Sequence, residues 1–233
     1  MNLLRNLFGK EQPAATPLDD RSFEKYQIIH AALESKDYKR AEQTINDLVK
    51  QFPDDAELWR LNGICSQYQN NYSKAENCFK RALSINKKYP KAWITLAKFF
   101  EERNQEKEAL NCYEAAVNEN PQSAHLFMEM GAFFHFNAAA ITMIRLGSDE
   151  KTKPLPGETK SHFKKALDCF EKAYKLNKQL NNEEKLKLLM ILGSVYLELG
   201  QMKDAQKCLN DGLKIDPASW QMSTLELGIR SKK

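Results

Sequence analysis

The chain has 233 residues, 28% of them charged and 42% in the hydrophobic set, with a formal net charge of +4. That length allows a sizeable core, as one elongated domain or two small ones, and the charge is too slight to imply nucleic acid on its own. Few glycines and prolines leave little punctuation for a β-rich fold, and no apolar run approaches the roughly 18 residues a membrane-spanning helix needs.

Residues 1–10 place Leu3, Leu4, Leu7 and Phe8 on one helical face, with Arg5 and Lys10 nearby. A linker with Pro13, Ala14, Ala15 and Pro17 follows, so residues 1–21 read as an amphipathic segment and a flexible linker. One or two turns are marginal as an isolated helix, so a frayed or self-packed terminus is the expectation, and weak contact with a membrane surface or a docking partner the alternative. No long apolar stretch followed by small cleavage-site residues marks a secretory signal, and the expectation is a soluble, cytoplasmic, mostly helical protein.

Ala41, Ala75 and Ala109 share one short phrase at a spacing of 34 residues, and Ala166 and Ala205 repeat it after steps of 57 and 39. A self-similar unit of this size means a stacked repeat array, in which each unit packs mainly on its neighbours. With each alanine as the twentieth residue of its unit, the units span 22–55, 56–89, 90–123, 124–185 and 186–217, the fourth carrying an insertion over 137–161.

Each unit reads as two amphipathic helices. The first opens on Trp59, Trp93, Phe127 or Leu189 in the last four units, with Gly63, Ala97, Gly131 or Gly193 four residues on, where a facing helix must approach closely. Turns follow at Lys36-Asp37, Asn70-Asn71, Asn104-Gln105 and Gly200-Gln201; Asn and Gly tolerate a left-handed helix cap best. The second helix sets its alanine against Ile45, Phe79, Tyr113, Phe170 or Leu209, then a small residue again at Ala82, Ala116, Ala173 or Gly212. Pro53, Pro121 and Pro217 stop it. Large side chains fitted between small ones on neighbouring helices are the expected packing.

In the fourth unit the first helix is expected to run on through Ala138, Ala139 and Ala140 to about Leu146, followed by a polar loop with Pro154 and Pro156. A second helix starting near Ser161 would pack Ile141, Met143, Ile144 and Leu146 against Phe163 and Leu167; the alternative is a projecting hairpin for self-association or a specific partner. Residues 218–233 form a capping helix, with Trp220, Met222, Leu225 and Ile229 on roughly one face, and a basic tail. Covering the apolar face of the last unit is its expected task.

Cys78, Cys112, Cys169 and Cys208 each lie three residues after a repeat alanine, so they are one packing position seen four times. Neighbouring helices run about 8–10 Å apart, too far for disulfides between equivalent positions, and no Cys-x-x-Cys pair supports a metal site. There is no P-loop, Gly-x-Gly-x-x-Gly, His-Glu-x-x-His or Gly-x-Ser-x-Gly, and the four histidines are scattered. A non-catalytic protein without cofactor or metal is expected. Lys74, Lys80, Arg81, Lys87, Lys88, Lys91 and Lys98 stand against a single Glu76 within residues 74–98. A solvated face or an acidic protein partner explains that excess better than RNA, because no aromatic platform is interleaved, so nucleic acid is not the expected partner.

The units resemble the tetratricopeptide repeat. Trp59 to Gly63 with Ala75, Phe79 and Ala82 matches its pattern, as do Trp93 to Phe100 with Ala109, Tyr113, Ala116 and Pro121, and Leu192-Gly193 with Tyr196, Gly200, Ala205 and Pro217. The first unit is degenerate, with Lys25 and Ile29 at the aromatic and glycine positions. The resemblance implies an all-α, right-handed α-solenoid of about five helix-turn-helix units. It also implies a concave groove, lined by the first helices, that binds a peptide or partner protein. By repeat phase the groove positions are Phe23, Tyr26, His30, Arg60, Leu61, Ile64, Tyr68, Lys91, Ile94, Lys98, Met128, His135 and Phe136. Their mixture suits an extended or helical peptide with apolar and acidic side chains. The two-carboxylate clamp of chaperone co-factors is not matched: of Tyr26, His30, Leu61, Lys91 and Thr95 at its positions, only Lys91 fits. The implied role is a scaffold or adaptor. The alternative is a membrane-peripheral assembly factor or chaperone-like protein recruited through residues 1–10. Oligomeric state is not legible in the sequence.

Overall fold

The computed structural model describes residues 20–146 and 156–232, with side chains from Glu24 to Met143 and from Pro156 onward. Residues 1–10 and the loop of the insertion lie outside the described residues, as do the side chains of Phe23, Ile144 and Leu146. Among the described residues the fold is all-α, with eleven α-helices. They are α1 Asp20–Glu34, α2 Tyr38–Gln51, α3 Ala56–Tyr68, α4 Tyr72–Ile85, α5 Pro90–Glu101, α6 Glu106–Glu119, α7 Ala124–Leu146, α8 Gly157–Lys175, α9 Asn182–Glu198, α10 Met202–Ile215 and α11 Trp220–Ser231.

Two compact units divide the chain, the first ending at Gln105 and the second beginning at Glu106, between the two helices of the third sequence repeat. In the first unit α1 to α5 pack in chain order, and α3 also touches α5. In the second, α6 to α10 pack in chain order, and α11 lies on both α9 and α10. Each is a run of helix pairs stacked on the next, the arrangement of an α-solenoid.

Why the chain turns where it does is a matter of backbone sterics. Lys36, Asn70, Asn104 and Gly200 have φ of 60°, 61°, 57° and 75°, the left-handed region that closes a helix. After each, the next N–H reaches back five residues: Asp37 to Ala32 O, Asn71 to Ser66 O, Gln105 to Phe100 O and Gln201 to Tyr196 O, all at 2.8–2.9 Å. The following helix is then capped from the same turn. Asp37 Oδ1 accepts from Arg40 N at 3.1 Å and Asn71 Oδ1 from Lys74 N at 3.3 Å.

Small residues set the spacing inside the pairs. All five repeat alanines are fully buried. A Cβ on Gly63 would overlap the ring of Phe79, and one on Gly131 would come within 2.8 Å of the ring of Phe170. In the last pair a Cβ on Gly193 would meet Leu225 of α11, at 2.5 Å. All five cysteines are buried and unbridged, and burial pushes up the thiols of Cys65, Cys78, Cys169 and Cys208, to about 12 at Cys65 and Cys208 and about 11 at Cys169. A further repeat feature closes the loops between pairs: Trp59 Nε1 donates to Pro53 O at 2.8 Å, and Trp93 Nε1 to Lys87 O at 2.7 Å.

In the insertion, α8 starts at Gly157, four residues before Ser161. Phe163 is buried, Leu167 and Ile141 are half-buried, and Met143 is 68% exposed. At the C-terminus α11 buries Met222, Leu225 and Ile229, but Trp220 is 63% exposed. Each residue turns about 100° around a helix, so Trp220 points away from Met222 and leaves the packed face to the other three.

Candidate partner-binding face

In the first unit the first helices of successive pairs, α1, α3 and α5, carry a polar network between them. Asp55 caps α3 through Oδ1, which accepts from Glu57 N at 2.8 Å and Leu58 N at 3.3 Å. Its Oδ2 accepts the Tyr26 hydroxyl at 2.7 Å, tying α1 to the start of α3. Arg60 makes a bidentate pair with Glu57, Nε to Oε2 at 2.6 Å and Nη2 to Oε1 at 2.8 Å. Glu57 also accepts the hydroxyl of Tyr89, and Arg60 Nη1 reaches Thr95 Oγ1 on α5 at 3.3 Å.

The electrostatics follow from that geometry. Burial works against the Glu57 carboxylate, but the hydrogen bonds and charge of Arg60 outweigh it and hold Glu57 below the usual carboxylate range. Burial, with Asp55 as acceptor, raises the Tyr26 hydroxyl well above its ordinary value. His30 is lowered, chiefly by burial, within the fields of Glu57, Arg60, Glu34 and Lys91. A guanidinium oriented by a fixed carboxylate is a planar donor already ordered before a ligand arrives.

The groove positions separate into two groups. Tyr26 and Leu61 are buried within the core cluster of Ile29, Ile45, Leu48, Leu58 and Cys65, so they support the face without presenting a side chain on it. Their helix phase points inward once α2 packs from behind. His30, Arg60, Ile64 and Ile94 are half-buried, while Lys91 and Lys98 are exposed one above the other on α5. Tyr68 is 58% exposed, yet one face of its ring lies on Tyr38, centroids 4.6 Å apart and planes 8° apart. In the second unit Met128 and His135 are half-buried and Phe136 is 70% exposed. The His135 ring meets Phe163 edge-on at 5.9 Å, and burial lowers its proton affinity against the pull of Glu198.

Asp55, Glu57 and Tyr89 escape a reading of repeat phase, because they bond across helices and Tyr89 precedes its helix. Tyr38 and Tyr72 were findable, being 34 residues apart at the start of equivalent helices. The basic run is partly answered within the fold. Lys74 pairs with Glu42, Lys80 with Glu76 at 2.6 Å and Arg81 with Asp54 at 3.7 Å. Among the described residues no group of three His, Cys, Asp or Glu is placed to hold a metal, and no helix is long and apolar enough to cross a membrane.

Family profiles described as Tetratricopeptide repeat match residues 68–128 and 186–219. Protein O-mannosyl-transferase TMTC1 of Mus musculus is 31% identical over 110 residues, 45% of this chain but only 12% of that relative's length. Among solved structures, MamA from Desulfovibrio magneticus RS-1 superposes with a TM-score of 0.55 at 16% identity, over 86% of this chain and 98% of that one. YrrB, described as a TPR protein with an unusual peptide-binding site, gives 0.53 at 14% identity, over 85% of this chain and 88% of its own. At such identities the structures speak to the fold.

Proposed function

We propose that this chain, a tetratricopeptide-repeat protein, is a non-catalytic scaffold whose α1–α3–α5 face binds a peptide segment of a partner protein carrying acidic and apolar side chains. The observation that carries this reading is the exposure of Lys91 and Lys98, one above the other on α5, beside Arg60, which Glu57 pairs and which reaches Thr95. Half-buried Ile64 and Ile94 offer apolar contact beside those cations. A peptide laid along such a face gains from apolar burial, while its carboxylates select orientation through the fixed charges. The transferase to which part of the chain is similar lends it no activity, since 12% of that protein is matched.

Fluorescence polarisation tests the reading, with labelled peptides of equal length alternating Leu with Glu or Leu with Lys. The Glu peptide should bind about tenfold more tightly or better, with affinity falling as salt rises. Lys91→Glu with Lys98→Glu should abolish the preference. Equal binding of both peptides by the unaltered protein refutes the reading.

A further inference from the structure

The turn edge of the first unit follows the 34-residue period, and in one repeat its second ring changes place, from Tyr68 to Phe99, whose centre is 6.5 Å from that of Tyr72. Tyr38, Cys65, Tyr68 and Gln69 correspond, 34 residues on, to Tyr72, Phe99, Glu102 and Arg103. In the earlier set the ring of Tyr68 lies flat on that of Tyr38. In the later set Glu102 stands where that upper ring would be, and a cavity of about 250 Å³ opens between Gln67, Tyr72, Phe99, Glu102 and Arg103.

The walls of the cavity have a definite chemistry. The Arg103 guanidinium lies 4.3 Å from the ring centre of Tyr72 and 5.5 Å from that of Phe99. Its Nε donates to Gln105 Oε1 at 3.2 Å, and Gln67 Nε2 donates to Glu102 Oε2 at 2.6 Å. Flat π faces and a guanidinium favour a flat, polarisable guest. A carboxylate accepts hydrogen bonds at both oxygens, so Glu102 favours a guest with an N–H or O–H at its edge.

We propose that this cavity is a binding slot for one tyrosine or tryptophan side chain of a partner protein. The guest ring stacks on the Arg103 guanidinium, beside the exposed part of Tyr72, and donates its O–H or N–H to Glu102. In the preceding repeat, with Cys65 and Gln69 in place of Phe99 and Arg103, the ring of Tyr68 lies on Tyr38 at this edge of the fold. The slot lies at the turn-side edge of the proposed peptide face and rests on the scaffold reading only in taking a protein side chain as its guest.

The test is saturation-transfer NMR on the full chain, with p-cresol, indole and toluene as probes. The unaltered protein should bind p-cresol and indole several-fold more tightly than toluene. Glu102→Tyr should fill the slot with a ring from within the chain and weaken both donors by about tenfold or more. Glu102→Leu should remove the preference for p-cresol over toluene. Lys91→Glu with Lys98→Glu should leave all three probes unaffected, so failure of the peptide face and failure of the slot are distinguishable. Absence of p-cresol binding, or equal binding by Glu102→Tyr with its helical circular dichroism intact, overturns the slot. Sedimentation of the unaltered protein as an oligomer that Glu102→Tyr dissolves would make a second copy the guest and overturn the assignment to a different protein.

Discussion

The ring of Phe79 occupies the space that a side chain on Gly63 would need. This pairing of large and small residues, repeated at Gly131 and Phe170, holds the two helices of a unit close together. Gly63→Ala should destabilise the first unit by about 1–3 kcal/mol, as overpacking does. Phe79→Leu should recover part of that loss when added to Gly63→Ala, although it destabilises the unaltered protein. Urea unfolding of the two single variants and the double variant gives the coupling, and strict additivity would count against direct contact.

Lys36 holds the left-handed conformation that Gly200 holds in the last repeat. A side chain there costs about 1–2 kcal/mol against glycine, so Lys36→Gly should raise stability by up to about 1 kcal/mol. Asn104→Val should lower it, because a β-branched residue fits that region worst. Thermal unfolding reads both. Glu34→Gly, two residues earlier within α1, should destabilise and so separates turn geometry from general tolerance of glycine.

The thiols of Cys65, Cys78, Cys112, Cys169 and Cys208 are buried and unpaired in disulfides. With burial lifting Cys65 and Cys208 to about 12, the reactive thiolate is scarce near neutral pH. Ellman's reagent should therefore modify the folded chain slowly and all five residues promptly in denaturant. Prompt modification of the folded chain would show that these positions open on their own.

Burial lowers the proton affinity of His30 and His135 in the folded state. The unfolded chain then binds more protons in the ordinary histidine range, around pH 6.5. Stability should hold above that range and fall as the pH drops through it toward the lowered folded values. The urea midpoint measured at about pH 7.5 and about pH 5.5 reads this slope. His135→Gln should flatten the slope, whatever its effect on the absolute midpoint, and an unchanged slope would exclude His135 as a contributor.

Some of this was visible in the residue order, and some was hidden by distance. The turns at Asn70, Asn104 and Gly200 were legible because a left-handed cap is a requirement on one residue. Trp220 was misplaced because its apolar character was weighted above its angle around α11. The basic run at 74–98 looked unbalanced because Glu42 and Asp54, which answer Lys74 and Arg81, lie outside it in sequence. The Glu57–Arg60–Tyr89 cluster was invisible for a similar reason. Its members have ordinary surface composition until helix stacking removes water from them.

By itself, the residue order determined the repeat: its helical pairs, their turns, and the alternation of small and large residues inside them. Those depend on local backbone sterics and on helix period, which act over a few residues and recur every 34. Tertiary structure decided which face each half-apolar side chain presents. It turned Tyr26 and Leu61 inward, laid Tyr68 on Tyr38, and left Tyr72 beside a cavity with the Arg103 guanidinium on its ring. Such outcomes depend on what the next helix brings to the same place, and that neighbour is a repeat away along the chain.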